Sequence, residues 1–322
     1  MPQTPQSPQT FLADRPIVLH HYPQSPFAEK VRLIFGFKGL KWRSVTIPII
    51  MPKPDLLALT GGYRKTPVLQ LGRSIFCDTA LIATVLDRLS SSSPLFPDGQ
   101  RANASIIAAW ADSIWFSACV AQAMQPAAFK SLFPGQSDEQ LAAFAADRKA
   151  MRAGSPVPRM TLGSSTPIFM NQLRRLDHQF SNTRSPFLLG SLATVADFSM
   201  YHPLWFVQQA RAIAAVLDPY PNVLAWMSRI AAFGHGQYEE LSSTDAINLA
   251  RSHADKGDAA DLSGRKVRIA ATDYGLDPSQ GALLAEHDDE WIIARHDHRA
   301  GAVHVHFPRV GFAMTPVVAD GE

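Results

Sequence analysis

A serine at the boundary between a predicted strand and a predicted helix is the residue of this chain best placed to support chemistry. Ser25 follows the apolar run Ile17, Val18 and Leu19 and directly precedes Pro26. Serine is a favoured helix N-cap and proline suits the first helical position, so the pattern predicts a helix that begins after Ser25. The free N–H groups and the dipole of that helix end would stabilise a thiolate, carboxylate or phosphate. The same residues also fit a serine that only caps the helix.

Length, charge and cysteine content limit the classes of partner. With 322 residues the chain exceeds one usual compact domain, so two or three domains are expected. It carries 30 basic and 28 acidic residues, and this balance favours neither a nucleic-acid nor a membrane partner. Cys77 and Cys119 form neither a disulfide framework nor a metal-ligand pair, which predicts a reducing, cytoplasmic location. Residues 1–14 lack the pattern of a signal peptide and are interpreted as a disordered leader, and no later run approaches the length of a bilayer span.

Short β-rich and helical runs alternate between residues 16 and 90. Strands are predicted at 17–20, 42–47, 67–71 and 75–76, and helices at 26–37, around Leu56, and at 79–89. This alternation predicts an α/β unit over residues 15–92. A linker rich in serine and proline follows, up to Pro97.

Strand signals nearly disappear after this linker and return only near residue 264. Apolar residues recur at helical spacing and predict helices around 106–118 and at 137–152, 167–181, 195–213 and 221–233. Residues 99–240 are therefore predicted to form an all-α helical bundle domain. Five short β-rich runs follow at 266–270, 281–285, 291–294, 302–307 and 311–315, and predict a small antiparallel β domain over 262–322. To be stable, such a meander must close on itself or pack on the bundle or on a second subunit.

Three further motifs stand at element boundaries: Lys65-Thr66-Pro67-Val68, Cys77-Asp78-Thr79, and Thr194 with Asp197 three residues later. The hydroxyl of Thr79 and the amides of the helix it opens can hold a carboxylate, while Asp78 can pair with an ammonium group. Helix capping alone is the alternative for this pair. Thr194 and Asp197 form a capping box, which is expected to stabilise the helix without doing chemistry.

The order of the units and these motifs resembles the cytosolic glutathione S-transferases over residues 16–238. Residues 25–32 are most similar to tau and omega members, which have serine and cysteine respectively at the position of Ser25. The resemblance implies a multidomain α/β plus α fold with a thioredoxin-like, glutathione-binding first domain and a helical C-terminal transferase domain. It also implies glutathione as co-substrate, a small hydrophobic electrophile, a homodimer and a role in detoxification. The β-rich tail has no counterpart in this resemblance.

The resemblance implies how each end of glutathione would be held. Ser25 would donate its hydroxyl proton to the glutathione sulfur, with Tyr22 as the second candidate. A cis peptide bond before Pro67 would present backbone to the cysteinyl part, and Asp78 with Thr79 would hold the γ-glutamyl end. Lys65 would bind the glycyl carboxylate, although a solvent-facing lysine is the commoner case. The residues predicted to contact glutathione are Pro26, Phe27, Lys53, Lys65, Thr66, Pro67, Val68, Asp78 and Thr79, with Arg64 as a further helper.

The electrophile would lie against the bundle. The predicted substrate residues are Trp110, Ser113, Trp115, Tyr201 and Trp205, with Phe116 and Phe206 as further aromatic candidates. Most aromatic residues at helical spacing belong to the core, so no more than two or three of these seven are expected to touch substrate.

Serine in place of cysteine bears on the type of reaction. A serine cannot form a mixed disulfide with glutathione, so conjugation, peroxidase chemistry or isomerisation outranks thiol transfer. The leading interpretation is a serine-type glutathione transferase. Two alternatives stay open: a transferase-like protein that binds ligands or partners without catalysis, and a glutathione-dependent isomerase or lyase.

Four histidines of the tail alternate in two pairs: His296 with His298, and His304 with His306. Each pair could share a face of its strand, and four imidazoles would suit zinc or copper. The charged residues among them, such as Asp297, favour a solvated or interdomain surface instead. We therefore predict no metal site.

Overall fold

The computed structural model describes residues 15–90, 92–253 and 262–317, so the predicted leader lies outside the described residues. The strands are β1 Ile17–His21, β2 Lys41–Thr46, β3 Val68–Leu71, β4 Ser74–Cys77, β5 Gln237–Glu240, β6 Lys266–Ala271, β7 Ser279–Glu286, β8 Glu290–Asp297, β9 Gly301–Pro308 and β10 Phe312–Pro316. The α-helices are α1 Pro26–Lys38, α2 Pro54–Thr60, α3 Thr79–Leu89, α4 Arg101–Trp110, α5 Phe116–Ala123, α6 Pro126–Leu132, α7 Asp138–Met151, α8 Leu162–Ser181, α9 Val195–Gln209, α10 Pro221–Ala231 and α11 Ser243–Ser252. A π-helical segment, Ala111–Trp115, joins α4 to α5.

The helix starts follow from local capping. Ser25 caps α1, since its Oγ accepts a hydrogen bond from Ala28 N at 3.2 Å and Pro26 occupies the first helical position. Gly39 ends α1 with a φ of +62°, a conformation that glycine adopts without steric cost. Asp78 caps α3 by accepting from Ala80 N at 2.9 Å. The predicted start of each of these two helices is confirmed.

The first unit has a four-stranded sheet in the order β2, β1, β3, β4. β1 and β2 are parallel, and the other neighbours are antiparallel. Val18 and Leu19 are both fully buried but belong to different cores, because successive strand residues face opposite sides. The Leu19 side packs on α1, α3 and the helical bundle. The Val18 side packs on α2, α11 and the tail strands.

The tail extends this sheet instead of closing on itself. Its five strands are antiparallel to one another, as predicted, but β9 pairs in parallel with β4, so that His304 lies opposite Ser74. On the far edge, β5 pairs in parallel with β2. One ten-stranded sheet results, with β10 and β5 as its outer strands. The tail is attached mainly to the first unit, where β9 satisfies the backbone groups that β4 would otherwise leave unpaired. The expected packing on the bundle is met in part, since Gly275 N of the tail donates to Met151 O of α7 at 2.7 Å. Packing on a second subunit stays a prediction.

Several element bounds differ from the prediction. The helix predicted at 167–181 begins at Leu162, because Thr161 caps it and accepts from Ser164 N at 3.2 Å. The helix predicted at 195–213 ends at Gln209. Helix α6, strand β5 and helix α11 were not predicted. Strand β5 has only four residues and all of them are exposed, so it lacks the alternation that predicts a strand.

The helix that runs over Asp98–Ala123 is long and apolar enough to cross a membrane by length and composition, with a mean hydropathy of 1.5. This corrects the expectation that no run approaches the length of a span. In the fold, Trp115, Ala118 and Cys119 of this helix are buried in the core that it shares with α8 and α9. A core helix of a water-soluble protein meets the same criterion, so the finding is weak support for a membrane span.

The capping box at α9 is present and connects more of the bundle than the helix start. The Asp197 carboxylate accepts from Thr194 N at 2.9 Å and Thr194 Oγ1 at 3.2 Å. It also accepts from Leu188 N at 2.9 Å and Trp226 Nε1 at 3.0 Å. Asp197 therefore links the loop before α9 to α10.

We expect Thr194→Ala to lower the free energy of unfolding by about 1 kcal/mol, the usual cost of losing a capping side chain. Urea denaturation would measure it, and Thr194→Ser, which keeps the hydroxyl, should unfold like the wild type. Unchanged stability of the alanine variant would contradict a stabilising role for the box.

Candidate functional site

The strand register brings three predicted site segments together. His20 on β1 lies opposite Val68 on β3, and Val68 lies opposite Cys77 on β4. The loop that follows β1, the residues that precede β3 and the residues that follow β4 must therefore emerge at the same end of the sheet. Ser25, Thr66 and Thr79 belong to these three segments.

Ser25 is a buried helix cap that still has a proton to donate. Its side chain accepts from Ala28 N, and the residue is only 2% exposed. An oxygen that accepts this bond keeps its own O–H for another acceptor. Within the described residues, no histidine or carboxylate is hydrogen-bonded to Ser25 Oγ, so the serine has no base of the kind that activates nucleophilic serines. Tyr22, the second candidate, is half-buried, and its ring centroid lies 5.5 Å from Lys53 Nζ.

The peptide bond between Thr66 and Pro67 is cis, as the resemblance implied. Lys53 lies beside it and is only 2% exposed. Its Nζ donates to Thr66 Oγ1 at 3.3 Å and to Arg64 O at 3.5 Å. Burial, and then the nearby charges of Arg148 and Arg64, lower the pKa of Lys53 to about 7. A cation so placed is suited to receive an anionic group of a ligand.

The other two predicted basic residues are engaged in ion pairs. Lys65 Nζ lies 2.5 Å from Asp273 Oδ1, and Arg64 pairs with Asp147. In contrast, Lys53 has no carboxylate at ion-pair distance among the described residues. The resemblance ranked Lys65 first and Lys53 and Arg64 as less certain helpers, and nothing in the nearby sequence indicated a partner for Lys65 from the tail.

The resemblance assigns Asp78 and Thr79 to the γ-glutamyl end of glutathione, and in the structure these two residues form the N-terminus of α3. Asp78 has a φ of +75°, an uncommon conformation for a residue with a side chain, and such conformations concentrate at functional sites. Burial raises the pKa of Asp78. Thr79 Oγ1 accepts from Lys30 Nζ at 3.2 Å, which leaves the Thr79 proton available to a carboxylate.

Sequence reasoning missed a buried charged cluster behind Thr79. Lys30 is 0% exposed, and its Nζ lies 2.6 Å from Asp112 Oδ2 of the π-helical segment. His202 Nε2 lies 3.0 Å from Asp112 Oδ1. Although burial opposes it, Lys30 and His202 lower the pKa of Asp112 to about 2. Lys30 had a detectable signal, a lysine on the inner face of a predicted helix, whereas Asp112 had none.

The predicted substrate residues divide into core and surface. Trp115 and Tyr201 are buried; Trp115 Nε1 donates to Met200 O at 3.1 Å. Trp110 and Trp205 are half-buried and Ser113 is exposed. Trp115 and Tyr201 therefore present almost no surface to an electrophile, whereas Trp110, Ser113 and Trp205 keep exposed surface.

Phe27, predicted to contact glutathione, lies between the two units. Its ring centroid is 4.5 Å from that of Phe116 and 4.6 Å from that of His202. These contacts make it part of the interface between α1 and the bundle.

Neither cysteine is placed for redox chemistry. Cys77 and Cys119 are both buried, and burial raises the pKa of each thiol.

The four histidines of the tail do not converge as two facing pairs. Ala302 lies opposite His296, and Ala294 lies opposite His304. Over the ranges given above, no group of three or more potential metal-ligating side chains is found.

Comparison with known proteins points to one family. The glutathione S-transferase N-terminal domain profile matches residues 19–94, and the C-terminal domain profile matches residues 164–233. The crystal structure of a GST-like protein from Pseudomonas syringae is 40% identical and covers 94% of this chain and 100% of that chain, with a TM-score of 0.76. A glutathione S-transferase domain-containing protein from Marinobacter aquaeolei VT8 is 20% identical, covers 67% of this chain and 97% of that chain, and shares the fold with a TM-score of 0.50.

A curated relative, glutathione S-transferase U4 from Arabidopsis thaliana, is 24% identical over 118 residues, or 37% of this chain. The chain spans 50% of the length of that relative.

The architecture is that of a glutathione S-transferase: a thioredoxin-like unit and a helical domain, here with a β-rich tail. The chain belongs to the glutathione S-transferase family, whose co-substrate is glutathione. The Pseudomonas syringae match covers so much of the chain that it includes most of the tail strands. The tail is thus shared with at least one relative.

Proposed function

We propose that the chain is a serine-type glutathione transferase that activates the glutathione thiolate at Ser25 for attack on a small hydrophobic electrophile. The observation that carries this proposal is the position of Ser25. Its donor hydroxyl lies at a helix N-terminus, at the end of the sheet that also presents Thr66 and Thr79.

Glutathione would extend along this end of the sheet. Asp78 would pair with the γ-glutamyl ammonium group, while Thr79 and the first amides of α3 would hold its carboxylate. The backbone of Thr66, next to the cis bond, would hold the cysteinyl part. For the glycyl carboxylate we favour Lys53 over Lys65, because Lys53 is buried without a carboxylate partner among the described residues.

Ser25 would act on the sulfur without becoming a nucleophile itself. An ordinary thiol has a pKa of about 8.5, so most glutathione is protonated at neutral pH. A hydrogen bond from Ser25 Oγ and the dipole of α1 would both favour the thiolate. The thiol proton passes to solvent, the sulfur forms the new bond to the electrophile, and the leaving group departs.

The electrophile would occupy the side of the site that faces the bundle. Trp110, Ser113 and Trp205 keep exposed surface on the bundle and would offer the electrophile a largely apolar contact. An isomerase or lyase would need the same thiolate, so this surface decides between those reactions and conjugation.

Calorimetry with glutathione, followed by turnover with a generic aryl halide, tests the proposal. We expect saturable binding and conjugation. Failure to bind glutathione would overturn the proposal. Binding without turnover over a broad panel of electrophiles would favour the alternative of a transferase-like binding protein.

We also propose that the chain forms a homodimer. Ile106 and Ile114 of the long helix expose large apolar side chains, as interface residues do. Light scattering behind gel filtration should give twice the monomer mass of 35.3 kDa, and a monomer would reject this part of the proposal.

A further inference from the structure

The loop at residues 272–278, between strands β6 and β7 of the tail, reaches the candidate glutathione site. Its residues are held by both of the other units. Ser279 Oγ, directly after the loop, accepts from Tyr63 N at 3.2 Å. On the helical side, Gly275 N donates to Met151 O at 2.7 Å, and Ser155 Oγ donates to Asp273 O at 2.5 Å. The loop is therefore fixed between the segment that precedes Thr66 and the end of α7.

Within this loop, Asp273 and Tyr274 enclose the ammonium group of Lys65. Lys65 Nζ lies 2.5 Å from Asp273 Oδ1 and 4.2 Å from the centroid of the Tyr274 ring. Tyr274 N donates to the same Asp273 oxygen at 2.7 Å, which fixes the carboxylate. Gly275 permits the close approach, since it has a φ of +62° and an added Cβ would lie 3.3 Å from Lys65 Cε.

The ion pair is exposed unequally. The Lys65 side chain is 13% exposed and the Asp273 side chain is 44% exposed. The lysine is thus held at the site, whereas its partner carboxylate lies partly in solvent and can exchange with another anion. Lys65 directly precedes Thr66, whose backbone is the proposed contact of the cysteinyl part. A carboxylate one residue further along the peptide, the glycyl carboxylate, would be within reach of the same ammonium group.

We propose that Asp273 is an internal carboxylate that competes with the glycyl carboxylate of glutathione for Lys65. The tail thereby reduces the affinity for glutathione and leaves Lys53 as the main cation for that end of the peptide. This inference rests on the proposed function. It means that the tail loop sets how strongly the site prefers glutathione with a free glycyl carboxylate over glutathione in which that group is blocked.

The test is calorimetric titration of the Asp273→Asn protein. Asparagine removes the charge but keeps the oxygen that accepts from Tyr274 N, so the loop can keep its conformation. Freeing one partly exposed lysine for a carboxylate should tighten glutathione binding roughly threefold to tenfold. Glutathione esterified at the glycyl carboxylate cannot use the freed lysine, so its affinity should not change.

Asp289→Asn is the matched control. It is the same substitution in the same tail, and Asp289 also pairs with a basic residue of the first unit, Arg88, at 3.4 Å. That pair is exposed and joins the tail to α3, outside the proposed glutathione contacts, so neither ligand should bind differently. Should Asp273→Asn unfold at a lower temperature, Asp273→Ser removes the same charge with a different side chain.

Equal glutathione affinity in the wild type and both charge-free variants at position 273 would overturn the inference. An equal gain for glutathione and its glycyl ester would also overturn it, because the effect would then not pass through the glycyl carboxylate. If none of the proteins binds glutathione, the proposed function itself fails, and this outcome is distinct from the other two.

Discussion

Replacement of Ser25 by alanine is expected to lower kcat for glutathione conjugation about 100-fold, the usual effect of removing one preorganised donor from a developing or stabilised anion. Glutathione should still bind, because its two ends are held by other residues. Without the hydroxyl, the pKa of the bound thiol should rise by about one to two units. Each unit corresponds to about 1.4 kcal/mol of lost thiolate stabilisation. The thiolate absorbance in the ultraviolet, followed against pH in the binary complex, would measure this shift directly.

A control must separate activation from capping, because Ser25 Oγ also accepts from Ala28 N. Ser25→Gly serves this purpose: glycine at an N-cap costs only a few tenths of a kcal/mol in stability, yet it has no donor. We expect Ser25→Gly to be as slow as the alanine variant while it unfolds nearly like the wild type. Ser25→Thr, which keeps a hydroxyl, should retain most of the activity.

Undiminished turnover in the alanine and glycine variants would reject Ser25 as the activator. In that case Tyr22→Phe becomes the decisive variant, since Tyr22 lies three residues earlier in the same loop. A large fall in kcat for Tyr22→Phe alone would assign the thiolate hydrogen bond to the tyrosine.

The sequence allowed the helix starts to be predicted because their causes are local. Each capping side chain lies within two or three residues of the amide it binds, as for Ser25 before Pro26 and for Asp78 before Thr79. The cis bond at Pro67 was different: it came from family resemblance, because most X-Pro bonds are trans and the residues alone do not select the isomer. The predicted segments then meet because of strand register.

Pairing between distant segments could not be predicted. Lys65 finds its carboxylate at Asp273, and Lys30 finds its own at Asp112. Any of the many acidic residues could have served, and only the tertiary fold selects one. The attachment of β9 to β4 is a similar case, since alternation predicts a strand but does not name its neighbour.

Lys53 should make glutathione binding depend on pH near neutrality. Its pKa is about 7 in the free protein, far below its ordinary value of 10.5, because the ammonium group is buried near Arg148 and Arg64. Below pH 7 the lysine is charged and can receive the glycyl carboxylate. Above it, binding must take up a proton, so affinity should fall by up to about tenfold per pH unit.

The measurement should use S-methylglutathione, whose sulfur does not titrate, over about pH 6 to 8. Calorimetry in two buffers of different ionisation enthalpy would count the protons taken up. Lys53→Gln should bind about tenfold more weakly at the acidic end, where the wild type carries the charge, and should show no slope. Lys53→Arg should also lose the slope but keep tighter binding, since arginine stays charged throughout. A flat wild-type profile, or the same slope in Lys53→Gln, would remove Lys53 from the site.

The stability of the free protein offers an independent check with the opposite sign. A lysine whose pKa is lower in the folded than in the unfolded chain binds fewer protons when folded, so this group raises stability as pH increases above about 7. Ligand stabilisation should fall over the same range, because the neutral lysine no longer receives the carboxylate. In thermal melts of the wild type above neutrality, the stability of the free protein should therefore rise with pH while the stabilisation by ligand falls. In Lys53→Gln neither trend should appear.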